Sequence, residues 1–260
     1  MSASAYEKVK LARDNDRPTG FEYIKNIITG FVELHGDRRY GDDAAIIGGI
    51  GFLDEKAVTV IAIEKGKTAK ERVKRSFGAP EPEGYRKALR LMKQAEKFKR
   101  PVVCFVDTSG AYCGVGAEER GQGEAIAENL MEMSALKTPI ISIVIGEGGS
   151  GGALALAVAD RVWMLENSIY SVISPEGCAS ILWRDSSLAE SAAECLKLTA
   201  QDGVNEGIVD DIITEESLGQ PPYYKKIKDK LSAELDVLMA KPEDELLAER
   251  YEKFRKIGRD

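Results

Sequence analysis

The sequence predicts an α/β protein organised around a largely parallel sheet. The uniformly apolar runs "PVVCFVD" (101–107) and "PIISIVI" (139–145) read as strands buried on both faces. Each is followed by a glycine-rich loop and a helical stretch, an alternation whose right-handed crossovers place successive strands parallel. A length of 260 residues with 43% hydrophobic content suits one main domain with helical additions.

Residues 1–20 are polar and charged and are expected to form a helical arm, followed by the domain proper at 21–215 and a helical extension at 216–260. In "FEYIKNIITGFVELHGDRR", Ile24, Ile27, Ile28, Phe31 and Leu34 keep helical spacing and predict one helix. The β-rich runs "AAIIGGIGF" from Ala44 and "AVTVIAIE" from Ala57, joined at Asp54 and Glu55, read as a hairpin. A helix follows from Pro82, with Ala88, Met92 and Ala95 on one face, and ends before Pro101.

After the first buried strand come a glycine-rich loop and the helix "GEAIAENLMEMSAL". After the second, "GGALALAVA" reads as a buried helix, and "RVWML" and "IYSVI" as short strands. In "SPEGCASILW", Ser174 is the expected N-cap, with Pro175 at the first helical position and Glu176 in the first turn. The run "GIVDDIIT" closes the core near residue 214, and Ile227, Leu231, Leu235 and Leu238 mark a C-terminal helix that packs on the core or on a partner.

A net charge of -7 argues against nucleic acid as the main partner, since phosphate binding usually leaves a basic domain. No apolar run approaches the roughly 20 residues that span a bilayer, and "MSASAYEKVKLARDNDRP" lacks the apolar region of a signal peptide. A cytoplasmic protein is expected. Cys104, Cys113, Cys178 and Cys195 form no C-x-x-C pair, so free thiols are expected rather than disulfides or a metal site.

The chemistry concentrates in "IGEGGSGGALALA" (145–157), which holds G-x-S-x-G at Gly148, Ser150 and Gly152, the turn that presents a serine nucleophile in many hydrolases. That arrangement needs a histidine after the serine, whereas the sole histidine, His35, lies far upstream beside Gly36 and Asp37 and reads as a surface or capping residue. A Ser150–lysine pair stays open. No Gly-Lys-Ser/Thr follows the glycines, which excludes a P-loop, and a dinucleotide fingerprint belongs at the first strand of its unit.

What remains is the backbone. Glycines between a buried strand and a helix leave N–H groups uncovered, with the helix dipole behind them. Fixed donors suit a carbonyl oxygen that gains negative charge, on the order of a hundredfold in rate per donor. The alternative is that the glycines only permit close packing. The loop "DTSGAYCGVGAEERGQG" (107–123) adds Gly110 and Ala111 above a neighbouring strand, facing the same crevice. Together the loops suggest thioester or urea-type carbonyls held by main chain.

The stretches "FGAPEPEGYRKALRLMKQAEKF", "GAYCGVGAEERGQGEAIAENL" and "IGEGGSGGALALAVADRVWMLENSIYSVISPEGCASILW" together resemble the α subunit family of the bacterial acetyl-CoA carboxylase carboxyltransferase, from about Phe21 to Ile213. The resemblance implies a crotonase-like (ClpP/crotonase) fold of repeated ββα units with N- and C-terminal helical extensions. It also implies carboxyl transfer from carboxybiotin, on the biotin carboxyl carrier protein, to acetyl-CoA, giving malonyl-CoA for fatty acid biosynthesis. The implied partners are a β subunit bearing a zinc ribbon and most of the acetyl-CoA site, in an α2β2 heterotetramer, and biotin carboxylase within the complex, with no metal in this chain.

On the same resemblance, a biotin-side oxyanion hole falls at Gly148, Gly149, Gly151, Gly152 and Ala153, with Gly110 and Ala111 on the second loop. Arg86 is a candidate for the transferring carboxylate, which a guanidinium matches in a bidentate way. Lys65 and Lys67 open the basic run "KGKTAKERVKR" (65–75), which faces CoA phosphates, the carrier, or only solvent. Such a reaction demands held reactants and stabilised oxygens rather than a side-chain base.

Ser109 and Cys113 stand where many family members have proline, which removes no donor but frees φ and puts the rigidity of the loop in question. Ile63 and Glu64 replace a Gly-His-Gln-like stretch. Three rivals follow: a biotin-dependent carboxyltransferase or decarboxylase subunit for another acyl-CoA, a Ser–Lys hydrolase, and a scaffold whose glycines only pack.

Overall fold

A computed structural model describes residues 3–259. Among these, eight strands form one mixed sheet: β1 (Thr29–Glu33), β2 (Ile46–Leu53), β3 (Lys56–Ile63), β4 (Val102–Thr108), β5 (Ile140–Gly149), β6 (Arg161–Leu165), β7 (Ile169–Ser171) and β8 (Asp211–Ile213). The order is β1-β2-β3-β4-β5-β6-β8, with β7 paired to the far end of β5. The first three strands are antiparallel neighbours, and from β3 to β8 every pairing is parallel.

The helices are α1 (Ala5–Ala12), α2 (Gly20–Ile27), α3 (Ala69–Lys74), α4 (Pro82–Lys97), α5 (Val115–Glu119), α6 (Gln122–Ala135), α7 (Ser150–Leu154), α8 (Pro175–Trp183), α9 (Ala189–Leu196), α10 (Ala200–Asn205), α11 (Pro221–Met239) and α12 (Glu243–Lys256). Successive residues of a strand face opposite sides, so β4 feeds two cores. Val103 and Phe105 join Tyr23, Ile24 and Ile27 of α2 and Ile227, Leu231 and Leu235 of α11. Val102, Cys104 and Val106 join Ala88, Leu91 and Met92 of α4 and Met133 of α6. Tyr23 stacks on Phe105 at 5.1 Å between ring centroids, and its hydroxyl pairs with that of Tyr223 at 2.9 Å, so each of two buried phenol oxygens has a hydrogen-bond partner.

Local rules account for much of this. The β2–β3 hairpin forms about the expected turn, pairing Leu53 with Lys56, with Asp54 in the left-handed region at φ +54°. Pro82 starts α4. Ser174 caps α8, its Oγ accepting from the Gly177 N–H at 3.1 Å, with Pro175 at the first position. The four cysteines are free.

Three expectations are corrected. The single helix expected through Leu34 stops at Ile27, because Gly30 takes φ +59° and Thr29–Glu33 pairs antiparallel with β2. The strand ending at Ile145 continues to Gly149, since Thr108 and β7 pair with its glycines from either side. The "GGALALAVA" helix shrinks to Ser150–Leu154, followed by turns.

The expected N-terminal arm is a capped helix: the Ser4 Oγ accepts from the Glu7 N–H and the Glu7 carboxylate from the Ser4 N–H. Val9 and Ala12 bury against Ile169 and Ala193. At the other end, Arg250 of α12 is fully buried. Its Nε and Nη2 hold both oxygens of Asp160 at 2.8 and 2.7 Å, while the carbonyls of Met133, Leu136 and Thr138 take its other N–H groups. All five donors of the guanidinium are therefore satisfied. Asp160 also accepts from the Ile140 N–H at 2.7 Å, so this pair anchors the start of β5.

Removing one partner of a buried pair strands the other charge. Arg250→Met should therefore cost about 3–5 kcal/mol, read as a fall in the urea midpoint. A change below about 1 kcal/mol would mean the pair behaves like a surface contact.

Candidate active site

The site is organised by a fault in the sheet. β4 and β5 run in register as far as Val106 opposite Val144, and the next pair is Thr108 opposite Gly148. β5 thus spends Ile145, Gly146 and Glu147 where β4 spends only Asp107. Asp107 fills the gap, its Oδ1 accepting from the Glu147 N–H at 2.8 Å. A methyl group on Gly146 would sit 2.3 Å from that oxygen, so only glycine fits. The freed carbonyl of Ile145 accepts from Nη2 and Nε of Arg17 at 3.0 and 3.3 Å.

The bulge collects charge. Lys65 Nζ lies 2.7 Å from Asp107 Oδ1 and 3.0 Å from Glu147 Oε2. Arg13 Nε lies 2.8 Å from Glu147 Oε1, and the same guanidinium reaches Glu176 of α8 at 2.7 Å. Arg17 pairs with Glu215 at 2.6 Å. Burial opposes the Lys65 ammonium, but Asp107 and Glu147 outweigh it and hold its pKa above the usual lysine value. Burial would raise the Glu147 and Glu215 carboxyls; Lys65 and Arg13 pull the first below its ordinary value, and Arg17 the second.

Beyond the bulge the two glycine loops meet. Gly149 must be glycine because a Cβ would lie 2.3 Å from the carbonyl of Ser109, and a Cβ on Gly152 would lie 2.5 Å from the amide nitrogen of Ala111. Ser150 turns strand into helix with φ +52°. No side chain caps α7, so the N–H groups of Ser150, Gly151 and Gly152 precede the intrahelical ladder. Ala153 is buried as the fourth residue, where the ladder begins. Gly148 and Gly149 lie within the sheet.

On the other loop, the Gly110 N–H is taken by Thr108 Oγ1 at 3.0 Å. Despite Ser109 and Cys113, the loop is tied down: the Tyr112 N–H donates to the Pro80 carbonyl, and Gln122 Nε2 bridges the carbonyls of Pro80 and Tyr112. Tyr85 donates its hydroxyl proton to the Gly152 carbonyl at 3.2 Å. Beside Ser150 and Gly151 opens a mainly apolar cavity of about 530 Å³, walled by Leu154, Val162, Tyr170, Val172 and Phe254. On the far side of Ser109 lies a polar one of about 220 Å³, lined by Arg13, Arg17, Lys65, Arg72 and Phe77.

The remaining expected residues separate. Lys65 stands at the bulge. Lys67 instead holds the Arg17 carbonyl at 2.7 Å and Glu22 at 3.1 Å. Arg86 is not brought to the crevice: its Nε pairs with Asp37 at 2.7 Å and its Nη1 with the Arg120 carbonyl at 3.0 Å, because Tyr85, one residue earlier, takes the inward position on α4. Glu64, unlike a Gly-His-Gln stretch, accepts the N–H groups of Phe21 and Gly66 and ends the α2 N-terminus. His35 is exposed and pairs with Asp42 at 2.9 Å. Ser150 has neither lysine nor histidine along the cavities it lines. Among the described residues, no cluster of histidine, cysteine and carboxylate side chains is arranged for a metal, and no helix is long and apolar enough to cross a membrane.

A profile of the acetyl co-enzyme A carboxylase carboxyltransferase-like family matches residues 2–258. The chain belongs to this family. Members include the acetyl-coenzyme A carboxylase carboxyl transferase subunit alpha of Ruminiclostridium cellulolyticum, 62% identical over 255 residues covering 98% of both chains, and that of Streptococcus pneumoniae, 60% identical over 95% of this chain and 97% of the other. Among solved structures, a Pseudomonas malonate decarboxylase hetero-tetramer with coenzyme A superposes with a TM-score of 0.71 at 19% identity, over 90% of this chain and 92% of that one. Transcarboxylase 12S does so with 0.70 at 20% identity, over 87% of this chain and 44% of that one. The fold is thus the crotonase-like one of these carboxyltransferases, and the family profile takes in α1 and α12, beyond the stretches that carry the resemblance in sequence.

Two outcomes follow for this family member. Gly152→Ala must displace the Ala111 amide and should cost about 1–3 kcal/mol, whereas a Cβ on Gly151 meets only Ile126 at 3.6 Å and should leave the melting temperature within about 2 °C. Because the folded Glu215 pKa is depressed, its pairing stabilises above the unfolded value near 4.5 and is lost as pH falls through the folded value. Arg17→Met should therefore destabilise more at neutral pH than in strong acid, by urea unfolding at each pH.

Proposed function

We propose that this chain is the α subunit of an acetyl-CoA carboxylase carboxyltransferase, moving a carboxyl group from carboxybiotin to acetyl-CoA to give malonyl-CoA. Its setting is a cytoplasmic complex with the β subunit in an α2β2 heterotetramer, the biotin carboxyl carrier protein and biotin carboxylase, with zinc held in β. The observation that carries the reading is the crevice in which the uncapped start of α7 faces the Ser109–Ala111 loop, in a chain matched to named α subunits over nearly its whole length.

The residues present fit a biotin-type group. Uncapped N–H groups at Ser150 and Gly151 stand at the mouth of an apolar cavity, with that of Gly152 buried one residue on, which suits an oxygen at the edge of an apolar ring and chain. Carboxybiotin supplies the carboxyl group when its carrier delivers it. This chain then holds the carbonyl oxygen with main-chain donors fixed beforehand, the arrangement in which such donors act most strongly. Ala111 contributes from the facing loop, and Gly110 is spent on shaping it. Arg13, Lys65, Asp107 and Glu147 keep the crevice in shape from beneath, and the acyl-CoA partner is held close enough for transfer.

The test is malonyl-CoA-dependent carboxylation of biocytin by this chain alone and mixed with the β subunit. Activity is expected only in the mixture. Ser150→Ala should retain it within about threefold, since a hydroxyl nucleophile is not used, while Gly151→Ala, which folds, should lower kcat at least about tenfold by covering donors worth about a hundredfold each. An inactive but well-folded mixture would overturn the reading, and loss of activity in Ser150→Ala would restore the hydrolase.

A further inference from the structure

Five glycines occupy the seven positions from Gly146 to Gly152. Such a segment has more backbone freedom to lose than most and only the side chains of Glu147 and Ser150 with which to fix a conformation, yet oxyanion donors act through fixed placement. Whatever orders it must grip it at few points. Two grips are visible. Downstream, Tyr85 holds the Gly152 carbonyl. Upstream stands Glu147, tied through its main chain to Asp107 and through its two carboxylate oxygens to Arg13 and Lys65.

We propose that Glu147 is a positioning residue for carboxyl transfer, which with Lys65 and Arg13 fixes the conformation in which Ser150, Gly151 and Gly152 present their N–H groups. The inference rests on reading the crevice as the oxyanion site. Both oxygens of Glu147 are engaged, which removes it as a proton acceptor. Its partners come from segments 134 and 82 residues away, so it joins α1, the end of β3 and β5 at one point. Asp107 stands two residues before Ser109, and Lys65 bridges Asp107 to Glu147, so the same ions set the spacing between the two loops. An apolar side chain would fill such a buried site without the desolvation penalty of an ion pair; the charges give direction, which apolar packing does not.

The experiment compares wild type, Glu147→Gln and Arg13→Gln in the complex with β, by biocytin carboxylation and by hydrogen exchange of the 109–111 and 148–153 segments. Glu147→Gln is expected to lower kcat between about ten- and a hundredfold, the size of effect that a displacement near 1 Å produces, with KM within about threefold. Its glycine-segment amides should exchange at least about tenfold faster while those of β2 and β3 keep the wild-type rate. Arg13→Gln, which removes one of the two cations, should move both readouts the same way by less, and it keeps the test decisive if Glu147→Gln fails to fold.

Unchanged exchange in both variants would overturn the proposal, as would kcat within twofold of wild type. A uniform rise in exchange across the core would do so too, by making the role one of global stability. If the wild-type complex proves inactive, the functional reading fails, and the exchange comparison still decides whether Glu147 orders the segment.

Discussion

The misfit between β4 and β5 is the constraint on which the site depends. Two parallel strands in perfect register would carry their ends to the same height and leave their loops side by side. Here three residues of one strand answer a single residue of the other, and Asp107 makes that possible by accepting the Glu147 N–H that the ladder loses. The surrounding features follow from this substitution. Gly146 must lack a side chain, Ile145 needs an outside donor, and a carboxylate placed among apolar strands needs a cation. Arg17 answers the second of these needs, and Lys65 and Arg13 the third.

What the sequence made legible was what is encoded locally. The doubly buried strand 102–108, the hairpin at Asp54 and the capped start of α8 each rest on a run of neighbouring residues whose preferences agree. Both glycine loops were legible for the same reason. The failures came where distant pairing overrules local pattern. Ile27, Ile28, Phe31 and Leu34 keep helical spacing, but an antiparallel neighbour at Gly49–Phe52 and a left-handed Gly30 draw Thr29–Glu33 into the sheet. Gly148 and Gly149 resemble loop residues until Thr108 and β7 supply partners.

Arg13 and Arg17 were invisible in a polar N-terminal stretch, since nothing local separates a buried arginine from a solvated one. A signal did exist elsewhere. Asp107 and Glu147 lie near the ends of otherwise apolar buried strands, and a carboxylate in that position requires a cation from somewhere in the chain. Arg86 illustrates the reverse hazard. It was singled out by resemblance, and one residue of helical rotation gives the inward place to Tyr85 and turns Arg86 toward Asp37.

The burial of Arg250 also has a temporal side. Asp160 and Arg250 are 90 residues apart, and at roughly 5–20 residues per second the arginine is made on the order of ten seconds later. Throughout that interval the root of the central strand carries an uncompensated acid, so a nascent chain can collapse early yet close its core only once Arg250 has been made. α12 thereby acts as the latch on the strand whose opposite end bears the glycine turn.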